Sequence, residues 1–306
     1  MRNIPAPDFQ YSVTRLVRYY KRAATDIMHE IERSDLSAGN VANSRAVLKD
    51  ISEIIVDLDN NSEEWVKENV PLAARRGVER ALVVLGVAQT FEEAERIVKF
   101  NRINREMVRA AVADTYQDVA QVTRNMDRKT KAGLRRVFSE VMREQYTQGV
   151  TGARTIKRET LNRMYKEMDG LVNTGIVDAA SRKWKPETYV ETVTLEKMNQ
   201  AYFEANVNES VSRGAFYGVI SSHGATDACR FHEGRIVKLV DSAPGDYPTI
   251  DELKNSGQIF HVRCLHHVST LTDLSRLPES VLNKADKQAK LGARAIAAGG
   301  RSPDVE

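Results

Sequence analysis

Cys229, His232, His261, Cys264 and His266 are the residues of this chain whose types and spacing could do chemistry. Both cysteines and five of the six histidines fall between His223 and His267. Thiolate and imidazole are the donors that zinc prefers, and a structural zinc site takes four of them in a tetrahedron. Cys229-Arg-Phe-His232 sets a thiolate and an imidazole three residues apart, and His261-Val-Arg-Cys264-Leu-His266 supplies three more donors. The 28 residues between His232 and His261 give room for a hairpin and a short helix that bring the two groups together. The expected ligands are Cys229, His232, Cys264 and His266, with His261 and His223 in reserve, and the expected ion is a structural zinc. Three other readings of the same residues stand beside this one. They could be packing and polar-network residues without metal, a Cys229–Cys264 disulfide where distance allows, or a nucleophile and its base.

A cysteine hydrolase would centre on Cys264, with His232 as base and Asp227 to orient it. Nothing in the sequence starts a helix at Cys264, and no glycine pair beside it offers an oxyanion site. The chain has no His-Glu-x-x-His motif and no glycine-rich loop ending in Lys-Ser or Lys-Thr. No catalytic residue is therefore assigned, and a role other than catalysis is expected.

The elements that must position the cluster follow from proline and apolar spacing. Between Pro7 and Pro186 the only proline is Pro71, so this long region is free to be helical. Val13, Leu16, Val17, Tyr20, Ala24, Ile27 and Ile31 share one helical face, and Val41, Leu48, Ile51, Ile55 and Leu58 make a second. Asn60-Asn61-Ser62 predicts a turn, followed by a third helix interrupted near Pro71. Thr90 is a candidate cap for a fourth, with Glu92 and Glu93 in its first turn. That helix is expected to reach about Met126, with a break near Asn101. Another runs from Leu134 to Tyr146 and stops at Gln148-Gly149. Thr151-Gly152 and Asp169-Gly170 mark further boundaries. Such one-faced helices need a cover, which is either a bundle among themselves or a partner surface.

After about residue 184 the composition changes. Glu187 to Val193 reads as a strand, and a helix follows from about Leu195 to Gly218. Glycine turns and a short strand over Arg235 to Val240 come next. The expected architecture is mainly α. Residues 1–180 form a helical, partner-binding region, a bundle or an extended arm. Residues 181–275 form a small α+β module, metal-stabilised, and residues 276–306 a helix and mobile tail.

Composition narrows the function. The 306 residues carry 45 Lys and Arg against 42 Asp and Glu, a formal charge of +3. That balance excludes a simple polybasic nucleic-acid binder. Two cysteines exclude a disulfide-dense secreted scaffold. No apolar run is long enough to span a bilayer, and the N-terminus does not read as a signal peptide. The expected place of synthesis is a reducing cytoplasm.

The order of motifs around the cluster resembles a known family. Trp184-Lys-Pro-Glu-Thr-Tyr-Val190 precedes a helix that ends in Gly214-Ala-Phe-Tyr-Gly-Val-Ile-Ser-Ser-His223. Then come Asp227-Ala-Cys-Arg-Phe-His-Glu-Gly234, Asp246-Tyr-Pro248 and His261-Val-Arg-Cys-Leu-His266. This resembles the bacteriophage minor head proteins, the head-morphogenesis proteins related to the F protein of phage Mu. It is also similar to the minor capsid proteins of phages of Gram-positive bacteria. Asp227 and Cys229 match the family's first Asp and Cys, and His232 stands where its second Cys often stands. His261 and Cys264 match the start of the closing motif, and His266 replaces its last Cys. Thr194-Leu-Glu-Lys departs from the family's usual Arg-Thr.

The resemblance implies a structural virion component rather than an enzyme. It implies association with the portal oligomer inside the capsid, contacts with scaffolding or major capsid protein, and a place near the packaged DNA. It also implies synthesis in the host bacterial cytoplasm and a part in procapsid assembly and DNA delivery. Fused toxin or enzyme domains known in some relatives are not expected here, because the chain stops soon after the module. A DNA-binding accessory protein is the other reading. Arg124, Arg128, Lys129, Lys131, Arg135 and Arg136 could touch phosphates non-specifically, although nearby acids would make the same residues an ordinary solvated face.

Overall fold

The computed structural model describes residue 4 and residues 7–33, 41–148, 158–159, 161–166, 176–177 and 181–305. These make seven named helices, α1 Gln10–Arg33, α2 Val41–Val84, α3 Phe91–Ile97, α4 Arg102–Gln148, α5 Pro186–Ser212, α6 Ile250–Asn255 and α7 Glu279–Ala298. Five short strands join them, β1 Ile176–Val177, β2 Lys183–Trp184, β3 Tyr217–Ile220, β4 Ile236–Lys238 and β5 Val268–Leu271. The protein is mainly α, with long N-terminal helices and a small C-terminal region of antiparallel strands. The boundaries expected at Thr151-Gly152 and Asp169-Gly170 lie outside the described residues. No described helix is long and apolar enough to cross a membrane.

The chain forms two compact units. One comprises Gln10–Asn69 with Val112–Leu195, the other Met1–Phe9, Val70–Ala111 and Glu196–Glu306. The division falls within α2, α4 and α5. In the first unit α1 buries Val13, Leu16, Val17, Tyr20, Ala23, Ile27 and Ile31. This is the expected stripe, with Ala23 in place of Ala24. The apolar faces cover one another. Ile27 and Ile31 pack with Val47, Ile51 and Ile55 of α2, Leu134 and Val137 of α4, and Met164. Each fully buried aliphatic side chain contributes roughly 1.5–3 kcal/mol. Trp65 Nε1 donates to the Ser12 carbonyl at 2.9 Å. Buried Tyr20 places its hydroxyl 3.1 Å from the Val119 carbonyl and 2.8 Å from Thr123 Oγ1.

Two expected breaks are absent. α2 runs unbroken through Asn60-Asn61-Ser62 and through Pro71. Asn61 and Ser62 turn their side chains back onto the carbonyls of Asp57 and Leu58, at 2.7 Å in each case. Such bonds let polar residues sit inside a helix. Ser62 and Trp65 are buried, so tertiary packing overrides the local turn preference. Pro71 costs one hydrogen bond, to the carbonyl of Lys67, and Lys67 is exposed, where water can take the missing donor's place. α4 likewise does not stop near Met126 but continues through the separately expected Leu134–Tyr146 segment.

Other signals hold. Thr90 caps α3 by accepting from the Glu93 N–H at 3.2 Å. The break near Asn101 is present, and Asn101 Oδ1 accepts from the Asn104 N–H at 2.8 Å to begin α4. The strand expected over Glu187–Val193 is helical, the first turns of α5. Pro186 supplies the pre-set first helical residue and Glu187 the favourable N-terminal charge. Val190, Thr194, Met198, Ala201 and Ala205 are buried at a helical period that the β-branched composition masks.

In the second unit the sheet order is β4-β3-β5, antiparallel throughout, with Gly218 opposite both Val237 and Thr270. Val268, Ile220 and Val237 pack with Phe203 and Val207 of α5 and with Ile250 and Leu253 of α6. Val219 and Ile236 form a second cluster with Ala285 and Leu282 of α7. Gly77 of α2 lies so close to α5 that a Cβ there would stand 2.1 Å from the Tyr202 carbonyl oxygen. Ile51→Ala, at the centre of the helical core, should cost about 2–5 kcal/mol, read as a lowered thermal midpoint. Val56→Ala, 55% exposed on the same helix, should leave that midpoint unchanged.

Candidate metal centre

Two turns of the second unit carry the cluster. Asp227 caps a single 3₁₀ turn, Ala228–Phe231, by accepting from the Cys229 N–H at 3.1 Å, which aims the buried Cys229 inward. The other turn follows α6. Phe260 and Arg263 take positive φ, 57° and 62°, values uncommon for side chains of their size. Between them the Cys264 N–H closes onto the His261 carbonyl at 2.8 Å. The Arg263 N–H is tied to Glu196 Oε2 at 3.0 Å. This curl faces His261 and Cys264 toward Cys229.

Cys229 Sγ lies 3.9 Å from Cys264 Sγ and 3.1 Å from His261 Nε2. Both cysteines are free. The three donor atoms lie within 4.8 Å of one another. His266 Nδ1 stands 3.3 Å from Cys264 Sγ, and its Nε2 is 3.1 Å from Glu233 Oε1. His261 Nδ1 donates to the Val262 carbonyl at 2.8 Å, which leaves Nε2 as the lone-pair nitrogen.

His232 does not join them. Its Nε2 donates to Gln258 Oε1 at 3.0 Å and its Nδ1 accepts from Arg235 Nη1 at 2.9 Å. Gln258 is itself held by the carbonyls of Ala295 and Gly300. Both ring nitrogens of His232 are thus committed, and burial pushes the ring down to about 4. Asp227 does not orient His232 either: it pairs with Arg301 and stands 3.7 Å from His261 Nε2. The arrangement Cys264–His232–Asp227 is therefore not assembled. The Cys264 N–H, spent on His261, is not free to bind an oxyanion.

The electrostatics of the pair are lopsided. A hydrogen bond from Cys229, reinforced by His266, pulls the Cys264 thiol well down against the effect of burial. The hydrogen bond to Cys264 and burial push Cys229 up. Burial opposes a charge on His266, but Cys264 and Glu233 together outweigh it and raise the imidazole. Glu233 is lowered despite burial, because the N–H groups of His223 and Ala225 donate to its Oε1 at 3.0 and 3.1 Å. Cys264, His266 and Glu233 stand in a row, beside a groove of about 220 Å³ lined in part by Cys264, His266, Phe260 and Gln200.

These donors fit zinc. With Zn–S bonds of about 2.3 Å, a tetrahedral site separates its sulfurs by about 3.8 Å, close to the distance found. The carbonyl behind His261 and the carboxylate behind His266 are the outer partners that orient ligating imidazoles. Cys229, His261, Cys264 and His266 are the residues that would hold the ion. Its chemistry would be a structural cross-link between the two turns. The sequence pattern contained no sign of Glu233 or Gln258 as orienting groups, because each touches its histidine only through the fold.

A family model described as phage minor capsid protein 2 matches residues 9–297. The class is thus that of structural components of bacteriophage capsids. The chain belongs to the phage minor capsid protein 2 family, in keeping with the minor-head resemblance of its motifs. No curated protein and no solved structure matches it.

In metal-free protein, an alkylating reagent at about pH 6 should label Cys264 well before Cys229, since the thiolate is the nucleophile. Equal labelling in a peptide map would contradict the proton placement. Folded His232 titrates at about 4 against 6.5 for the free ring, so between those values the unfolded chain binds more protons. Its contribution is present above 6.5 and is lost as pH falls toward 4, at up to about 1.4 kcal/mol per pH unit. Denaturant unfolding from about pH 7 to about pH 5 should show that slope, and His232→Gln should flatten it.

Proposed function

We propose that this capsid protein is portal-associated, enters the head during procapsid assembly, and has a structural zinc ion stapling its Cys/His module. The portal reading is supported by the ordered motifs from Trp184 to His266 and by family membership. The zinc reading is carried by one observation, the convergence of Cys229, His261 and Cys264 with the His266 Nδ1 beside them. Synthesis in a reducing bacterial cytoplasm would keep both thiols available to the ion. Scaffolding or major capsid protein would be further contacts, and the finished protein would lie inside the capsid near the portal vertex.

Non-specific contact with packaged DNA is a subsidiary part of the reading. Arg124, Arg128, Arg135 and Arg136 are exposed on α4, while Lys131 is paired with Asp127 at 2.6 Å. Such contacts would weaken steeply as salt rises. A role in DNA delivery would follow from a place beside the exit channel.

Coexpression with the portal protein should yield a complex that survives affinity and size-exclusion steps. Complete separation at low salt would sink the portal reading. Metal analysis of chain purified without chelator should give about one zinc per chain, and Cys264→Ala should lose it and destabilise the module. Protein free of metal and equally stable in both forms would reject the staple.

A further inference from the structure

The row of groups behind Cys264 contains a second set of ligands. The donor atoms of His223, Glu233 and His266 lie within 4.8 Å of one another, and the imidazoles of His223 and His266 are 4.2 Å apart at 38°. We propose that these three residues form a second divalent-metal site, open to solvent and sharing only His266 with the thiolate site. It rests on the thiolate reading only for the orientation of His266.

Two imidazoles and one carboxylate are a familiar donor set for a catalytic-type, open zinc position. Without sulfur they equally suit cobalt, nickel or manganese. With metal–ligand bonds of about 2.1 Å, neighbouring ligands of a tetrahedral or octahedral ion stand about 3.0–3.4 Å apart. His266 Nε2 and Glu233 Oε1, at 3.1 Å, are already so placed. The loop is built around the carboxylate. Glu233 Oε1 accepts from the backbone N–H groups of His223 and Ala225, which fixes the Glu233 side chain beside His223 with Oε1 facing His266 Nε2. Gly224 and Gly234, at φ +76° and +81°, allow the tight turns on either side. His223 is exposed, so its ring can close on the ion at little cost.

His266 divides its nitrogens between the two sites. Nδ1 faces Cys264 and Nε2 faces Glu233. Filling the second site replaces the Nε2 proton by the ion, and that proton passes to solvent. Three protein donors leave a coordination position for water or for an oxygen anion. The side that bears His223 faces solvent, so this position is accessible from outside the module.

Cobalt(II) titration of the metal-free full chain tests both sites separately. The first equivalent should bring thiolate-to-cobalt charge-transfer absorption, and a second should bind without adding to that band, for a total of about two ions per chain. His223→Ala, an exposed change, should reduce the total to about one and leave the band intact. Glu233→Gln keeps an oxygen acceptor for the loop and should weaken the second equivalent at least about tenfold. Wild-type chain that saturates at one equivalent with the charge-transfer band, or His223→Ala that binds as many ions as wild type, would overturn the second site. A single equivalent with no charge-transfer band, lost in His223→Ala, would support this site and reject the thiolate one.

Discussion

The contact between Cys229 and Cys264 is the constraint on which the C-terminal module turns. Its sulfurs are 3.9 Å apart although 35 residues separate them in sequence. Everything between them, the strand β4, the helix α6 and the left-handed residues Phe260 and Arg263, has to return the chain to the point where Cys229 left it. Two thiols that close share a proton unevenly, which lowers Cys264, raises Cys229 and, through Cys264, raises His266. Glu233 then has a reason to sit behind His266, and the Glu233 carboxylate in turn organises the His223–Ala225 loop. A divalent ion would replace that shared proton with a stronger bond of the same geometry.

The rest of the module is arranged to keep this corner dry on one side and open on the other. Ile220, Val237, Ile250, Leu253 and Val268 pack against Cys229, while Cys264 and His266 border the groove beside α5. His232 belongs to a different network. With Gln258 and Arg235 it ties the 3₁₀ turn to the end of α7 through the Ala295 carbonyl. The residues after α7 take part, because the Arg301 carbonyl accepts from the Ala228 N–H and its guanidinium pairs with Asp227. A capsid component gains from such cross-bracing, since a small sheet of three short strands has little core of its own.

The helical unit rests on the ordinary hydrophobic effect. Its stripes were legible because a 3.6-residue period shows in the order of apolar residues whatever they pack against. The stop signals were less so. Asn60-Asn61-Ser62 and Pro71 have strong local preferences, yet the polar residues cost only a few tenths of a kcal/mol each in propensity and Pro71 about 3 kcal/mol. Burial of Trp65, Val66, Val70 and Ala73 along the same helix outweighs that. The first turns of α5 failed in the opposite sense: Thr188, Val190, Thr192 and Val193 favour a strand, and only the burial of Val190, Thr194 and Met198 reveals the helix.

By itself the sequence determined the chemistry available and its neighbourhood: two thiols and five imidazoles in one short module, the one-faced helices ahead of it, and the order of motifs that marks the capsid family. Only the tertiary structure decided which histidines belong with the sulfurs. Spacing made His232 the equal of His261, since both stand three residues from a cysteine. The fold separates them because a ring nitrogen can serve a ligand only when no buried partner has claimed it. Gln258 and Arg235 have claimed both nitrogens of His232, whereas His261 keeps its Nε2 facing Cys229.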